Sequence, residues 1–581
     1  MTLKHELTEL FKTSLNKLDL LQYIATNIVV QETANTSHGD YQFNIAMSLA
    51  KKNGRNPHDL AKNIIDNLPD NNLISRCEIA GPGFINITLT DKFLLEFVQN
   101  KLLTSCYVNN PQLVIVDYSS PNLAKQMHVG HLRSTIIGDS LVRINEFIGN
   151  KVIRRNHVGD WGTQFGMLLA YILENNLYQN NKLDIQNLEE LYQKAKIKFE
   201  ESEEFANKSR EYVVKLQSGD ELMYSIWQEF VKISTNHCQQ LYDLLQVKLQ
   251  PDDIYGESYY NHLLPRIIDI LQQQSMLEIS QGAACVFYKD EVFIVRKKDG
   301  GFLYSTTDLA TIYDRVNQLH VDKILYVVDA RQSQHFQLLF AISKQAKIAP
   351  DNLHLEHVKF GVMCDSQGKP FKTREGGTVK LLDLLKEAKI RAEKMLIEKG
   401  VELNRMELAK SLSISAIKYA DLSKNRTSDY MFNYDHMLSF EGNTAPYILY
   451  AYTRINSIFN KAMLYFKGSK VEDLSALLET SIMLIEHKIE RELILHIVIF
   501  PDTILKTAGQ SMPHFLCNYV YKLATLFMRF YETCPVIIVE KTEGQNHLNK
   551  LSKSRLKLLV ILSTVIQYSL DCLGISTVTR M

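Results

Sequence analysis

The stretch from Val114 to Phe165 restricts the fold of this chain more than any other: VIVDYSSPNLAKQMHVGHLRSTIIGDSLVRINEFIGNKVIRRNHVGDWGTQF. Leu113 to Val116 is a short apolar run with the length and β-branched content of a buried strand. Ser119, Ser120 and Pro121 break it. From His128 to Ile148, apolar residues recur at Leu132, Ile136, Ile137, Leu141, Ile144 and Ile148, steps of three and four that line one helix face. Gly149 and Asn150 end that helix, and Lys151 to His157 is strand-like again. Strand, loop, helix, strand is a βαβ crossover, which demands a parallel sheet and a right-handed connection. The fold class is therefore α/β.

The loop and first helical turn of this unit carry His128-Val129-Gly130-His131. A helix that begins after a parallel strand offers unpaired amides and the positive end of its dipole, a natural seat for phosphate. Gly130 lets a nucleotide approach the backbone because it has no Cβ. His128 and His131 fall on one side of the turn, where each imidazole can donate to phosphate oxygens as charge builds in a transition state. Lys125 and Asn122 add a cation and an amide to the same pocket mouth. A bare HxGH also occurs as two unrelated histidines capping an ordinary helix. The strand before it, the helix after it and Lys125 weigh against that reading.

PNLAKQMHVGH, then LRSTIIGDSLVR, then NHVGDWGTQFG together resemble the signature region of class I aminoacyl-tRNA synthetases, and the arginyl-tRNA synthetase version in particular. The resemblance implies a Rossmann-type catalytic domain, a small N-terminal α+β domain and an all-helical C-terminal anticodon-binding domain. It implies ATP and L-arginine as substrates, Mg²⁺ accompanying ATP, tRNA(Arg) as partner, a monomer, and activation that needs bound tRNA.

Composition alone does not point to nucleic acid: Lys+Arg 65 against Asp+Glu 65 gives zero formal charge, so an RNA partner must rest on local charge. One local excess is Lys541, Lys550, Lys553, Arg555 and Lys557 against Glu543 alone, a run that a solvated helix face explains equally well. The eight cysteines are scattered with no CxxC or Cys/His cluster, which argues against structural zinc and for a reducing compartment. MTLKHELTELFK is an amphipathic helix with acidic residues, unlike a signal or transit peptide, and the apolar run Leu558–Ile566, interrupted by Ser563 and Thr564, is too short to span a bilayer. A cytoplasmic protein without membrane contact is expected. At 581 residues about three domains are expected.

In chain order, residues 1–105 read as a small α+β domain. Helical patterns cover Leu3–Leu20, Tyr41–Lys52 and Pro57–Leu68, and a strand–turn–strand follows around Gly81-Pro82-Gly83. HGDYQ (His38–Gln42) and GPGFINI (Gly81–Ile87) resemble the family's N-terminal domain, which implies contact with the D-loop corner of tRNA. Phe84 and Asn86 then offer a stacking ring and a base-edge amide; they read equally well as a core ring and a strand-surface amide. Residues 106–405 form the catalytic domain, with a charged helical insertion at about 174–249 to which no chemistry is assigned. The sheet is expected to resume with the hairpin Ala284–Tyr288 and Val292–Arg296, and again at Ile324–Val328.

The resemblance places Asp117, Tyr304 and Asp308 on the arginine side chain, and Asn122 and Gln332 on its α-amino end. A planar guanidinium with five donors suits fixed carboxylates and a hydroxyl. The alternative for each acid is an ion pair with a neighbouring arginine, and without the resemblance that reading is favoured for Asp308. Residues 360–384, FGVMCDSQGKPFKTREGGTVKLLDLL less its last residue, run from a strand into a basic loop and a helix. In class I synthetases this position holds the mobile KMSKS loop, but here it reads Lys369-Pro370-Phe371-Lys372-Thr373-Arg374. Lys369, Phe371, Lys372 and Arg374 are thus candidate ATP contacts, with Lys125 as the alternative clamp. Residues 406–440 resemble the stem. Residues 441–581 are helical by periodicity, broken at Pro446, Pro501, Pro513 and Pro535. Tyr447, Tyr450 and Tyr452 interleaved with Arg454, and the terminal Met581, are the candidate anticodon contacts.

Overall fold

The βαβ unit lies at the heart of a four-stranded parallel sheet in the computed structural model, which describes residues 2–24, 28–33, 38–177, 184–298, 300–365, 367–370, 379–402, 404–466, 470–542 and 545–581. Strand order is His354–His357, Lys323–Tyr326, Leu113–Asp117, Lys151–Arg155, and every neighbouring pair is parallel. Val114 to Asp117 are buried, as a strand covered on both faces must be. The chain adds Lys151–Arg155 on one side of Leu113–Asp117 and later returns to add Lys323–Tyr326 on the other. That reversal opens a crevice at the carboxyl ends of the two inner strands, where open α/β sheets take their ligands. Asp117 and Tyr326 sit side by side at its floor.

Helix Val129–Phe147 crosses back over the sheet. It packs unusually close at Gly138, where a Cβ would fall 2.3 Å from the Tyr118 side chain. The hairpin expected to continue this sheet does not join it. Ala283–Tyr288 pairs with Glu291–Arg296 and with Leu277–Ser280 in a separate antiparallel sheet. The cause is its inner face: Val286 and Phe293, opposite each other, bury against a second core that includes Leu309, Phe336 and Leu339.

In the N-terminal domain a four-stranded sheet has the order Gln31–Glu32, Tyr41–Phe43, Phe84–Leu89, Ile74–Ala80. The helix expected from Tyr41 starts at Ile45. Tyr41 and Phe43 alternate into the core as a strand instead, paired with Ile87 and Ile85. Among its described residues the insertion holds three helices, Ile185–Glu201, Glu203–Gln217 and Glu221–Leu244. The stem contains Arg405–Leu422. Beyond it lie Ala445–Ala462, Lys488–Val498, Phe500–Gln510, His514–Thr533 and Lys550–Cys572. Pro446 and Pro501 occupy first helical turns and Pro513 an N-cap, as a residue without an N–H should. One short antiparallel pairing, Val539–Thr542 with Gln545–Leu548, interrupts the helical pattern. Among the described residues no helix is long and apolar enough to cross a membrane.

Candidate active site

His128 is the N-cap of helix Val129–Phe147, and its Nδ1 accepts the Gly130 amide at 3.1 Å. The His131 Nδ1 accepts the His128 amide at 3.1 Å, so the two side chains close a reciprocal capping box. An Nδ1 that accepts leaves the proton on Nε2, and each ring therefore keeps one donor for a ligand. The rings lie against each other with centroids 3.9 Å apart. Burial, then the neighbouring His128, lowers the His131 pKa to about 3. Burial, then Lys125 and Arg331, also lowers that of His128. Both imidazoles are neutral donors at neutral pH. Gly130 has a second reason to be glycine: a Cβ there would lie 2.8 Å from the His128 ring.

The loop that delivers this turn is bent at three non-glycine residues with positive φ, Ser119 (71°), Ser120 (44°) and Ala124 (65°). Side chains from distant elements hold it. The Ser119 amide donates to Ser134 Oγ (2.9 Å), the Ser120 amide to Asn156 Oδ1 (2.9 Å), and the Ala124 amide to Ser234 Oγ (3.0 Å). Tyr242 joins Ser119 Oγ at 2.8 Å and accepts Asn156 Nδ2 at 3.0 Å. Ser234 and Tyr242 belong to the insertion, so this segment buttresses the site. Two further contacts tie it there: Lys125 Nζ lies 4.4 Å over the Tyr192 ring, and Glu189 pairs with Lys380 at 3.2 Å. Asn122 is exposed at the crevice mouth, and its Oδ1 occupies the place a Cβ of Gly159 would take.

Asp117 is buried and ion-paired with Arg315, itself wholly buried over the Tyr326 ring. Its other oxygen accepts Ser120 Oγ at 3.2 Å. The carboxylate expected to meet a ligand guanidinium thus already holds an internal one. Asp308 is placed differently. One oxygen is 2.6 Å from His335 Nε2 and the other 3.9 Å from His157 Nε2, and no arginine pairs with it among the described residues. Tyr304 stands one helical turn earlier, 60 % exposed, its ring 4.9 Å from that of His335. Gln332 is exposed at the start of helix Ser333–Gln345.

Two acids that sequence reasoning did not single out share this cleft. Burial pushes the Glu257 pKa to about 7, with Asp160 and Asp308 adding to the rise and His157 opposing it. Asp160, also raised by burial, accepts Ser258 Oγ at 2.6 Å and the Ser258 amide at 2.9 Å. Glu257 sits just after the insertion, at the start of the 3-10 helix Glu257–Leu263, a segment too short for a periodicity to mark it. Arg331, likewise unassigned, lies close enough for its charge to depress the His128 pKa. Among the described residues no group of three or more His, Cys, Asp or Glu has the arrangement of a metal site, and the eight cysteines are free thiols.

The basic loop is described at its two ends. Lys369 is exposed on a tight turn in which the Asp365 amide donates to the Lys369 carbonyl at 2.8 Å. At the far end the Val129 amide donates to Val379 O (3.0 Å) and Leu381 to Met127 O (3.0 Å), so the loop's exit is stitched to the histidine turn. Phe371, Lys372 and Arg374 lie outside the described residues.

Of the RNA-facing candidates, Phe84 is half-buried, and Asn86 is 6 % exposed with its Oδ1 accepting Gln42 Nε2 at 2.8 Å. Tyr447 packs on Tyr521 (5.6 Å). Arg454 donates to Tyr450 OH at 2.6 Å and lies 5.0 Å from the Tyr531 ring. Met581 is half-buried against the C-terminal core. In the basic run, Arg555 is buried and paired with Glu490 at 2.7 Å, and Lys557 caps the Glu479 and Ser481 carbonyls.

Comparison with known proteins gives the family of the whole chain. The family described as "tRNA synthetases class I (R), catalytic domain" matches residues 94–434. "Arginyl tRNA synthetase N terminal domain" matches 5–89 and "DALR anticodon binding domain" matches 448–581. An arginine–tRNA ligase of Psychromonas ingrahamii is 47% identical over 577 residues, 96% of each chain. One of Shewanella baltica is 46% identical over 572 residues, 95% of each. The crystal structure of arginyl-tRNA synthetase from Plasmodium falciparum superposes with a TM-score of 0.85 at 33% identity, covering 100% of both chains. The Thermus thermophilus arginyl-tRNA synthetase shares the fold, with a TM-score of 0.81 at 22% identity over 100% of both.

Proposed function

The chain belongs to the arginyl-tRNA synthetases, and from its activity, the ATP-driven joining of arginine to tRNA, we propose the following roles for its site residues. Arginine's carboxylate attacks the α-phosphorus of ATP, the bond to the β-phosphate oxygen breaks, and pyrophosphate leaves with that electron pair. The 3'-terminal ribose hydroxyl of tRNA then attacks the arginyl carbonyl and AMP departs. His128 and His131 donate Nε2–H to phosphate oxygens as charge moves onto them, assisted by the helix amides. Because both rings are neutral and locked through Nδ1, they need no reorganisation as the barrier is crossed. Lys125 and Lys369, with Lys372, Arg374 and Phe371 of the loop, hold the triphosphate, which enters with its Mg²⁺ as part of the substrate. The locked imidazole pair is the observation that carries this reading.

At the other end of the crevice, Asp308, Tyr304 and Glu257 receive the guanidinium, and Asn122 and Gln332 the α-amino group. Asp117 acts from beneath by neutralising Arg315. Phe84 and Asn86 meet the tRNA corner; Tyr447, Tyr450, Arg454 and Met581 meet the anticodon. Activation follows tRNA binding, and the enzyme works as a cytoplasmic monomer.

The experiment is ATP–pyrophosphate exchange with and without tRNA(Arg), in the parent and in His131→Ala. The parent is expected to exchange only with tRNA present, and the variant to lose exchange while melting normally. Exchange by the variant at the parental rate would overturn the role given to the pair.

A further inference from the structure

The HGDYQ stretch stood out in the sequence, yet none of its residues enters the chemistry above. Its Asp40 side chain is 3 % exposed and faces the C-terminal domain. Arg491, on helix Lys488–Val498, reaches across and places both terminal nitrogens on the Asp40 oxygens at 2.8 Å each. The same guanidinium donates to Leu89 O at 3.0 Å and, through Nε, to Asp91 Oδ1 at 2.7 Å. A planar fork used this fully fixes orientation as well as distance.

The turn that presents Asp40 is rigid. Gly39 has φ of +84°, and a Cβ there would come 2.7 Å from Ile87 O. The Asp40 amide donates to Ile87 O (2.7 Å) and its Oδ2 accepts the Leu89 amide (2.8 Å). Two residues on, Gln42 donates to Asn86 Oδ1 at 2.8 Å and accepts Asn44 Nδ2 at 3.0 Å, so one strand both docks the domain and aims Asn86. A second tie, Thr2 Oγ1 to Asp502 at 2.6 Å, joins the same two domains.

We propose that Asp40 and Arg491 are positioning residues that lock the N-terminal and C-terminal domains into one caliper, setting the separation of two surfaces that grip a single tRNA. The inference rests on the reading that both domains contact tRNA. When two contacts are held at a fixed spacing, the second forms as an intramolecular event and needs no further ordering. A loosened joint forfeits that gain without removing any contact.

The test uses the full-length enzyme with Asp40→Asn, Arg491→Lys and Arg491→Ala, and, separately, Asn86→Ala. Aminoacylation kinetics are read with whole tRNA(Arg), alongside binding of an RNA hairpin that carries only the anticodon arm. The clamp variants are expected to raise the KM for tRNA about tenfold while the KM for arginine and for ATP and the hairpin Kd stay within about twofold. Arg491→Lys keeps the charge but loses the fork, and it decides the matter if Arg491→Ala does not fold. A tRNA KM unchanged in Asp40→Asn and Arg491→Lys, or a hairpin Kd that weakens in step with it, overturns the caliper. If Asn86→Ala leaves the tRNA KM unchanged while the clamp variants raise it, the role given to Asn86 fails and the caliper stands. If Asn86→Ala raises it and the clamp variants do not, the caliper fails and the reading of Asn86 stands.

Discussion

The two ends of the crevice are built on different plans. At the phosphate end, both histidines are satisfied by amides of their own helical turn, with donors and acceptors within three residues of each other. At the amino-acid end nothing is local. Asp117 pairs with Arg315 from a helix far along the chain, Asp308 rests on His335 and His157 from two other elements, and Glu257 comes from beyond the insertion. The first plan yields a rigid donor pair from a short stretch of sequence. The second yields a cup whose charge is shared among acids and imidazoles, so that a cation can be matched by shifting protons as well as by contact.

The sharpest break in this comparison comes from removing one donor at the rigid end. His131→Ala is expected to lower the exchange rate by about 10²–10³, with little change in the KM for ATP, because the bond strengthens only as charge develops. His128→Ala should add less in the double variant than alone, since the two rings cap one turn and act as a unit.

At the other end the two aspartates should separate. Asp308→Asn is expected to raise the KM for arginine about 100-fold, by leaving a desolvated guanidinium short of its carboxylate, while the melting temperature barely moves. Asp117→Asn should do the reverse in emphasis. It strips the partner from the wholly buried Arg315 and should cost about 3–5 kcal/mol of stability, read by chemical denaturation. If Asp117→Asn were as stable as the parent but as poor in arginine KM as Asp308→Asn, the distinction drawn between the two acids would be wrong. A smaller effect belongs to Lys125. Lys125→Ala should raise the KM for ATP about tenfold, because its ammonium is held near the histidine turn by the Tyr192 ring and, among the described residues, pairs with no acid.

The same contrast explains what could be read from the sequence. The βαβ unit, the histidine turn and the proline-marked helices follow from local periodicity, capping and backbone chemistry, and the chain folds there as those rules require. Resemblance puts Asp117 on the ligand, with an ion pair to an arginine as the alternative, and the structure takes the alternative; no local rule links position 117 to 315. The helix expected from Tyr41 gives way to a strand at Tyr41–Phe43, since three residues cannot display a period and only the pairing with Ile85 and Ile87 settles the matter. The insertion's Glu and Lys at helical spacing imply a solvated helix without chemistry. Its inner face, with Ser234 and Tyr242 gripping a strained loop more than a hundred residues upstream, carries no signature that spacing could reveal.

The smallest effect tests the proton-sharing side of the comparison. Glu257 is pushed up to about 7 in the folded protein, against an ordinary value of 4.5, chiefly by burial, with the charge of His157 opposing the rise and those of Asp160 and Asp308 adding to it. The folded state therefore holds a proton that the unfolded chain has released, and this contribution to stability is lost as pH rises from about 4.5 through 7. Binding a cation favours the ionised carboxylate, so arginine should bind with release of that proton. Between about pH 6.5 and 8 the KM for arginine should fall about fourfold and then level off. Glu257→Gln keeps the shape, removes the acid and should flatten this dependence. A variant whose pH profile matched the parent's would place the shared proton elsewhere in the cup, and Glu257 would be a wall of the pocket only.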